Sequence, residues 1–215
     1  MRVDAPEPLA MILPIPVPSG SRENAVRFIN LEAYPQFFAD LRRGFPGPPL
    51  SRSARAWAAA GAAALEVVEV GSFIASFVPS VADFERVDKR FRLPAGVWDR
   101  LPGYADFGFA VFQLKPGDQK VHPMAFEFPR ANPDQLFFPT VHIHDGEVHP
   151  FADFDHALFC QAAFHGASGW RRSRGTVGEF VPNPARARGV LDPTAPCYRL
   201  TLRGDLRNVD VVVAA

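Results

Sequence analysis

Apolar and polar residues alternate along much of this chain, which is the pattern of half-buried β-strands. Strands are predicted at Ala10–Val17, Val26–Leu31, Val67–Val78, Phe107–Lys115, Gln119–Phe128, Leu136–His144, His149–Ala162, Cys197–Arg203 and Asn208–Val213. Pro14 and Pro16 cannot donate ladder hydrogen bonds, so the first run is predicted to be an edge strand. Gly71 marks a bend in the third run. The last two runs are expected to form a closing hairpin.

Helical patterns are fewer. Pro35–Arg43 combines a proline at the start with an apolar face and a Gly-Phe-Pro end, which predicts a helix. The Ala-rich segment Ser53–Leu65 favours helix by propensity. Ser80, followed three residues later by Asp83, predicts a third, short helix.

These elements together predict an α+β fold. Turn residues separate the consecutive strands between Phe107 and His144, and this arrangement indicates an antiparallel meander. We expect a predominantly antiparallel sheet, either a sandwich or a partly open barrel, with a few helices from the N-terminal half. No repeat or linker interrupts the pattern, so residues 1–215 are predicted to form a single domain.

Composition narrows the function classes. The chain carries 23 basic and 23 acidic side chains, so no general field attracts nucleic acid or an anionic membrane, and neither is expected as a partner. The N-terminus is a poor signal peptide, which predicts a cytoplasmic location. Cys160 and Cys197 form no CxxC motif and are expected to be free, buried thiols.

The stretch from Trp170 to Gly189 is rich in arginine, glycine, proline and serine, which predicts an exposed loop. Its arginines could grip a phosphate group or RNA. The alternative is solvated surface charge, because no aromatic residues are interleaved with them.

All six histidines lie between His122 and His165, and the densest part is LFFPTVHIHDGEVH, residues 136–149. Asp145-Gly146 is a strong signal for a two-residue hairpin turn. If that turn forms, His144 stands opposite Glu147 and His142 opposite His149. Strand alternation then places these four side chains on one face and the apolar residues on the other.

Three imidazoles and a carboxylate converging on one point are a ligand set for a divalent transition metal such as Zn, Fe, Mn, Cu or Ni. The sequence therefore predicts a metal-dependent enzyme with ligands His142, His144, His149 and Glu147. Glu147 could be a ligand or the catalytic general base, and hydrolase and oxygenase chemistry stay equally open.

A second interpretation makes the four residues the polar face of a half-buried hairpin. The protein is then a non-catalytic binding or assembly module, with a Phe-rich pocket or interface for a small molecule or a second copy of the chain. Of the other histidines, His122 and His156 are expected to be core residues, and His165 a loop residue.

The segments MILPIPVP, VGSFIASFVPS, FGFAVFQLK, HPMAFEFP and LFFPTVHIHDGEVH, in this order, resemble an uncharacterised bacterial family of unknown function. The resemblance covers most of the chain and implies no assigned activity or catalytic residue. HIHDGEVH is also similar to the HxH…E ligand pattern of cupins, although Glu147 follows the histidines too closely and the flanking glycines of that pattern are absent.

Overall fold

The computed structural model of this protein describes residues 2–5, 10–47, 68–87, 96–115, 117–143, 147–162 and 168–214. The chain forms two compact units. Unit 1 comprises Met1–Glu32, Arg55–Pro133 and Val141–His149, and unit 2 comprises Ala33–Ala54, Asp134–Thr140 and Pro150–Ala215. Each unit draws on three separate stretches of chain, so no single linker divides them. One domain over residues 1–215 stays a prediction.

Within its described residues, unit 1 consists of antiparallel strands in three sheets. The strands are β1 (Arg2–Ala5), β2 (Ala10–Ile15), β3 (Arg27–Asn30), β4 (Val68–Val70), β5 (Phe73–Val78), β6 (Gly108–Leu114), β7 (Gly117–Lys120) and β8 (Met124–Glu127). The largest sheet has the order β2-β6-β5-β4, and the others pair β1 with β7 and β3 with β8. Short 3-10 helices cover Ala82–Arg86, Trp98–Arg100 and Pro102–Tyr104. Strand β2 lies at an edge of its sheet, as its prolines predicted.

Strand β6 is buried on both faces, which explains its nearly continuous apolar sequence. It lies between β2 and β5, so it is a central strand of the sheet. On one face, Ala110 and Phe112 are at most 1% exposed and belong to the main core cluster of the unit. The Phe112 ring packs 5.4 Å from Phe28 and 5.6 Å from Phe126, measured between ring centres. Phenylalanines therefore fill this core.

The opposite face of β6 carries a second aromatic cluster. Phe109 is fully buried, and its ring centre lies 4.9 Å from those of both Phe84 and Trp98. Phe84 comes from the 3-10 helix predicted to begin near Ser80, where the Ser80 hydroxyl donates to Asp83 at 2.7 Å. This cluster covers the second apolar face of the central strand.

Within its described residues, unit 2 combines five strands with two short helices. The strands are β9 (Gln135–Phe138), β10 (Phe151–Cys160), β11 (Arg171–Thr176), β12 (Pro196–Arg207) and β13 (Val211–Ala214), and the helices are α1 (Phe37–Arg42) and α2 (Val177–Phe180). A 3-10 helix covers Pro184–Ala187. Strand β12 lies between β10 and β11 in one antiparallel sheet, and β9 pairs with β13 in another.

Helix α1 lies within the range predicted from the sequence and packs against the sheet of unit 2. Phe37 and Leu41, one turn apart, are both buried. Phe38 and Phe45, at either end of the helix, have ring centres 6.4 Å and 5.8 Å from that of Phe159 in β10. The apolar periodicity of the helix is therefore used to cover part of one face of the β10–β12 ladder.

The structure confirms an α+β fold in which antiparallel sheets dominate, and these sheets are open within the described ranges. The placement of the helices in the N-terminal half is not confirmed. Helix α2 belongs to the second half of the chain, and the predicted helix at Ser53–Leu65 lies outside the described residues. Within these ranges, none of the helices has the length and apolar character that a bilayer crossing needs.

Strand pairing differs from the sequence prediction. The predicted meander is wrong, because β6 pairs with β2 and β5, β7 with β1, β8 with β3, and β9 with β13. The predicted closing hairpin is also wrong, since β12 pairs with β10 and β11 while β13 pairs with β9. The single predicted strand Val67–Val78 is a hairpin that turns at Gly71 and Ser72. Turn residues mark where a strand ends and do not select its neighbour.

Candidate functional site

The predicted histidine hairpin falls partly outside the described residues. His144 and the Asp-Gly turn, residues 144–146, lie outside them. On either side, residues 141–143 and 147–149 belong to no strand, and β9 ends at Phe138. The strand prediction for this segment is therefore too long. The ladder that was expected to bring the histidines together is not among the described strand pairs.

The predicted ligands that the structure describes have different surroundings. Glu147 is exposed, and its Oε2 accepts a hydrogen bond from Arg100 Nη1 in an ion pair. His149 is exposed and His142 is partly buried. Within the described ranges, no group of three or more His, Cys, Asp or Glu side chains could hold a metal ion. The set of His142, His144, His149 and Glu147, with Glu147 as base, stays a prediction.

Metal analysis of untagged protein tests this ligand set. The sequence prediction expects about one equivalent of a transition metal, lost in His142→Ala and in His149→Ala and released as the pH falls, because imidazoles must be neutral to bind. His156→Ala is the matched control and should keep the metal. A trace of metal that is the same in the wild type and all three variants would contradict the prediction.

His122 is a core residue, as predicted. It is 5% exposed, and its Nε2 accepts a hydrogen bond from the Ser72 backbone N–H at 3.0 Å. Its Nδ1 lies 2.8 Å from the Pro123 carbonyl oxygen, to which it donates when Nε2 is the acceptor. Its ring also packs edge-on against Phe73, with 5.1 Å between ring centres. This histidine has a structural role, because it accepts a hydrogen bond from the turn between β4 and β5.

Burial changes the pKa values of one histidine and both cysteines of unit 2. Burial lowers the pKa of His156, and the nearby Asp155 only partly offsets this effect. Both cysteines are free, and burial raises the pKa of Cys160 to about 12 and that of Cys197 to about 11. Both thiols are therefore protonated at neutral pH, which makes them poor nucleophiles. His165 lies outside the described residues.

Three large apolar side chains of unit 2 are more than half exposed. Phe151, Val209 and Val212 are 54%, 53% and 53% exposed. The Asn208 backbone N–H donates to the Pro150 carbonyl oxygen at 2.9 Å, and this bond brings the chain neighbours Phe151 and Val209 to the same end of the sheet. We call Phe151 and Val209 the apolar end of unit 2.

The loop that carries Val209 is held by a buried threonine. The Thr140 hydroxyl donates to the Val209 carbonyl oxygen at 2.9 Å, and the Thr140 backbone N–H donates to Asp210 Oδ1 at 2.7 Å. Thr140 is only 4% exposed. Because these bonds hold the Val209 carbonyl and the neighbouring Asp210 side chain, Val209 is presented on a preorganised loop.

The arginine-rich stretch predicted to be an exposed loop is mostly regular structure. It contains strand β11, helix α2 and the 3-10 helix Pro184–Ala187. A capping box explains where α2 begins, since the Thr176 backbone N–H donates to Glu179 Oε1 at 2.9 Å. Arg171 and Arg172 thus project from a strand with a defined register, which shifts between Arg172 and Thr176.

A shallow depression of about 570 Å³ lies on unit 1, lined by residues 21–24, Pro79, Asp83 and Arg86. The Arg86 guanidinium donates to Glu23 at 2.6 Å and to Asp83 at 3.2 Å. Together with Arg22, the lining carries two arginines and two carboxylates, so the depression has little net charge with which to attract a ligand.

Comparison with known proteins gives a structural likeness. No protein-family model and no curated protein matches the chain. A solved structure of mutated baculovirus P35 after caspase cleavage is 12% identical and covers 99% of this chain and 91% of the P35 chain, with a TM-score of 0.53. The chain shares the fold of P35. A complex of P35 with caspase-8, also 12% identical, covers 99% of this chain and 87% of that chain, with a TM-score of 0.46. The resemblance to an uncharacterised bacterial family stays a prediction.

Proposed function

We propose that this protein is a non-catalytic module that binds another protein, and that its partner is a protease of the caspase class. The observation that carries the proposal is the likeness to P35 over 99% of this chain and 91% of that one. The P35 in that structure has been cleaved by a caspase. The likeness runs through nearly the full length of both chains and is not confined to one segment of them.

The apolar end of unit 2 supports a protein partner. Contiguous apolar side chains on a soluble protein mark interaction sites, and partners bind them most tightly where the backbone is already ordered. Phe151 and Val209 are each more than half exposed, and Val209 lies on the loop that Thr140 anchors. An aromatic residue within such a group is typical of the anchors that dominate binding energy. We therefore assign the contact with the protease to this surface.

A titration of caspase activity tests the proposed function. Purified caspase-8 is incubated with increasing amounts of the full chain, and hydrolysis of a fluorogenic peptide is followed. We expect activity to fall in proportion to added protein, and mass spectrometry to show the chain cut at one position. Caspase with a blocked active site should leave the chain intact. Unchanged activity together with an intact chain, at a large excess of the chain, would overturn the proposal.

Surface variants test the assignment of the contact. Phe151→Ser and Val209→Ser are expected to weaken inhibition by about tenfold or more, the loss typical of an anchor residue. Val68→Ser is the matched control, because Val68 is a 40% exposed strand valine of unit 1. It should inhibit like the wild type. Equal effects of all three variants would place the contact elsewhere while leaving the partner itself in place.

A further inference from the structure

Two arginines face each other across neighbouring strands of unit 2. Arg171 of β11 and Arg199 of β12 are direct partners in the antiparallel register. Directly opposed residues project from the same face, with Cβ atoms about 4.5–5.5 Å apart, and like charges in such a pair repel each other. A sheet that keeps this pair therefore carries a local electrostatic cost.

Helix α1 adds a third arginine to the same face. Arg199 is also the register partner of Phe159 in β10, so the two side chains share a face. Phe38 and Phe45 pack on Phe159 with 6.4 Å and 5.8 Å between ring centres. Arg42 lies between these two phenylalanines, in the last turn of α1. The helix thus brings a positive charge toward the opposed pair.

Among the described residues, the arginine cluster has no carboxylate partner. Its guanidinium carbon lies 5.6 Å from the centre of the Phe45 ring, and its Nε is enclosed without a hydrogen-bond partner among the described residues. Burial, with repulsion from Arg171 and Arg42, lowers the pKa of Arg199. In the described ranges, no ion pair joins any of the three arginines to a carboxylate. The cluster has donors and positive charge in excess.

We propose that Arg42, Arg171 and Arg199 form a binding site for the phosphate group of a small soluble molecule. A phosphate dianion accepts paired hydrogen bonds from guanidinium groups and offsets the repulsion among three cations. RNA fits less well, because single-stranded nucleic acid is usually bound along a basic groove with aromatic stacking platforms, whereas this cluster is a single point. The site is independent of the apolar end.

Binding of inorganic phosphate and pyrophosphate by the full chain tests the proposal, by calorimetry and by the shift in melting temperature at constant ionic strength. Arg171→Ala is compared with Arg172→Ala. Both remove one exposed arginine of β11, but adjacent strand residues project from opposite faces. We expect about tenfold weaker binding in Arg171→Ala, the effect of losing one charge-assisted contact, and wild-type binding in Arg172→Ala.

Without the anion, Arg171→Ala should melt at or above the wild-type temperature, because the repulsion with Arg199 is relieved. This result separates a ligand site from a structural role, in which the same variant would melt lower. Equal stabilisation by chloride and phosphate, or equal loss of binding in Arg171→Ala and Arg172→Ala, would overturn the proposal and leave only general surface charge. Retention of single-stranded RNA that falls equally in both variants would do the same.

Discussion

Replacing Gly71 with alanine is expected to destabilise unit 1 by about 3–4 kcal/mol, from backbone strain and overpacking together. Gly71 turns the chain between β4 and β5 at a φ of +59°, in the left-handed region that favours glycine. A Cβ at this position would lie 2.3 Å from His122 Nε2 and 2.9 Å from Glu32 Oε2. That same nitrogen accepts the Ser72 backbone hydrogen bond, so moving the imidazole aside also breaks the bond.

A double-mutant cycle separates the two causes. In a His122→Ala background the clash with the imidazole is gone, and the exposed Glu32 side chain can turn away into solvent. Gly71→Ala should then cost mainly the left-handed strain, about 1–2 kcal/mol. Gly20→Ala is the matched control, because Gly20 has a φ of +74° with nothing within 4 Å of the added Cβ. Free energies of unfolding from urea titrations give all four values. Equal costs of Gly71→Ala with and without His122 would contradict this account.

Phe109→Ala is expected to destabilise the protein by about 3–5 kcal/mol, the range for deleting a buried aromatic ring. Phe109 is fully buried in the central strand β6, and two rings, Phe84 and Trp98, lie 4.9 Å from it. Its removal leaves a cavity bounded by groups that the sheet and the 3-10 helices hold in place. A loss of this size is a large fraction of the stability of a typical domain.

Urea unfolding, followed by tryptophan fluorescence, to which Trp98 contributes, and by circular dichroism, measures the effect. Phe109→Leu should cost less than half as much, because it keeps most of the buried volume. Phe151→Ala, at a phenylalanine 54% exposed, should change stability by about 0.5 kcal/mol or less. If Phe109→Ala and Phe151→Ala have similar effects, the assignment of the unit 1 core is wrong.

The sequence came closest to the structure where the signal is local. Helix α1 lies within the predicted range, because one apolar face and a glycine-proline end act over a single turn. Strand β6 follows from a short apolar run, and His122 from its alternation with Met124 and Phe126. Each of these conclusions depends on neighbouring residues alone.

The candidate sites show the opposite case. The four predicted metal ligands were derived from one assumed turn within residues 144–146. Their position on one face of the sheet depended on a hairpin that the described strand pairs do not contain. The arginine cluster had a sequence signal only at Arg171, within a stretch predicted to be a loop. No sequence pattern marks Arg42 or Arg199 as a site residue. They become neighbours only because α1 and β12 bring them to the same face.

By itself, the sequence determined the β-rich class of this protein, the position of most strands and of helix α1, and the burial of His122. The periodicity of apolar residues and the chemistry of turns depend on a few neighbouring residues, so the sequence is enough to predict them. Only the tertiary structure decided that β6 pairs with β2 and β5, and that Arg171 faces Arg199. The cost of closing a loop rises slowly with its length, so sequence separation does not choose strand partners. Strand partners are determined by the burial of apolar faces, and this burial depends on the fold of the whole chain.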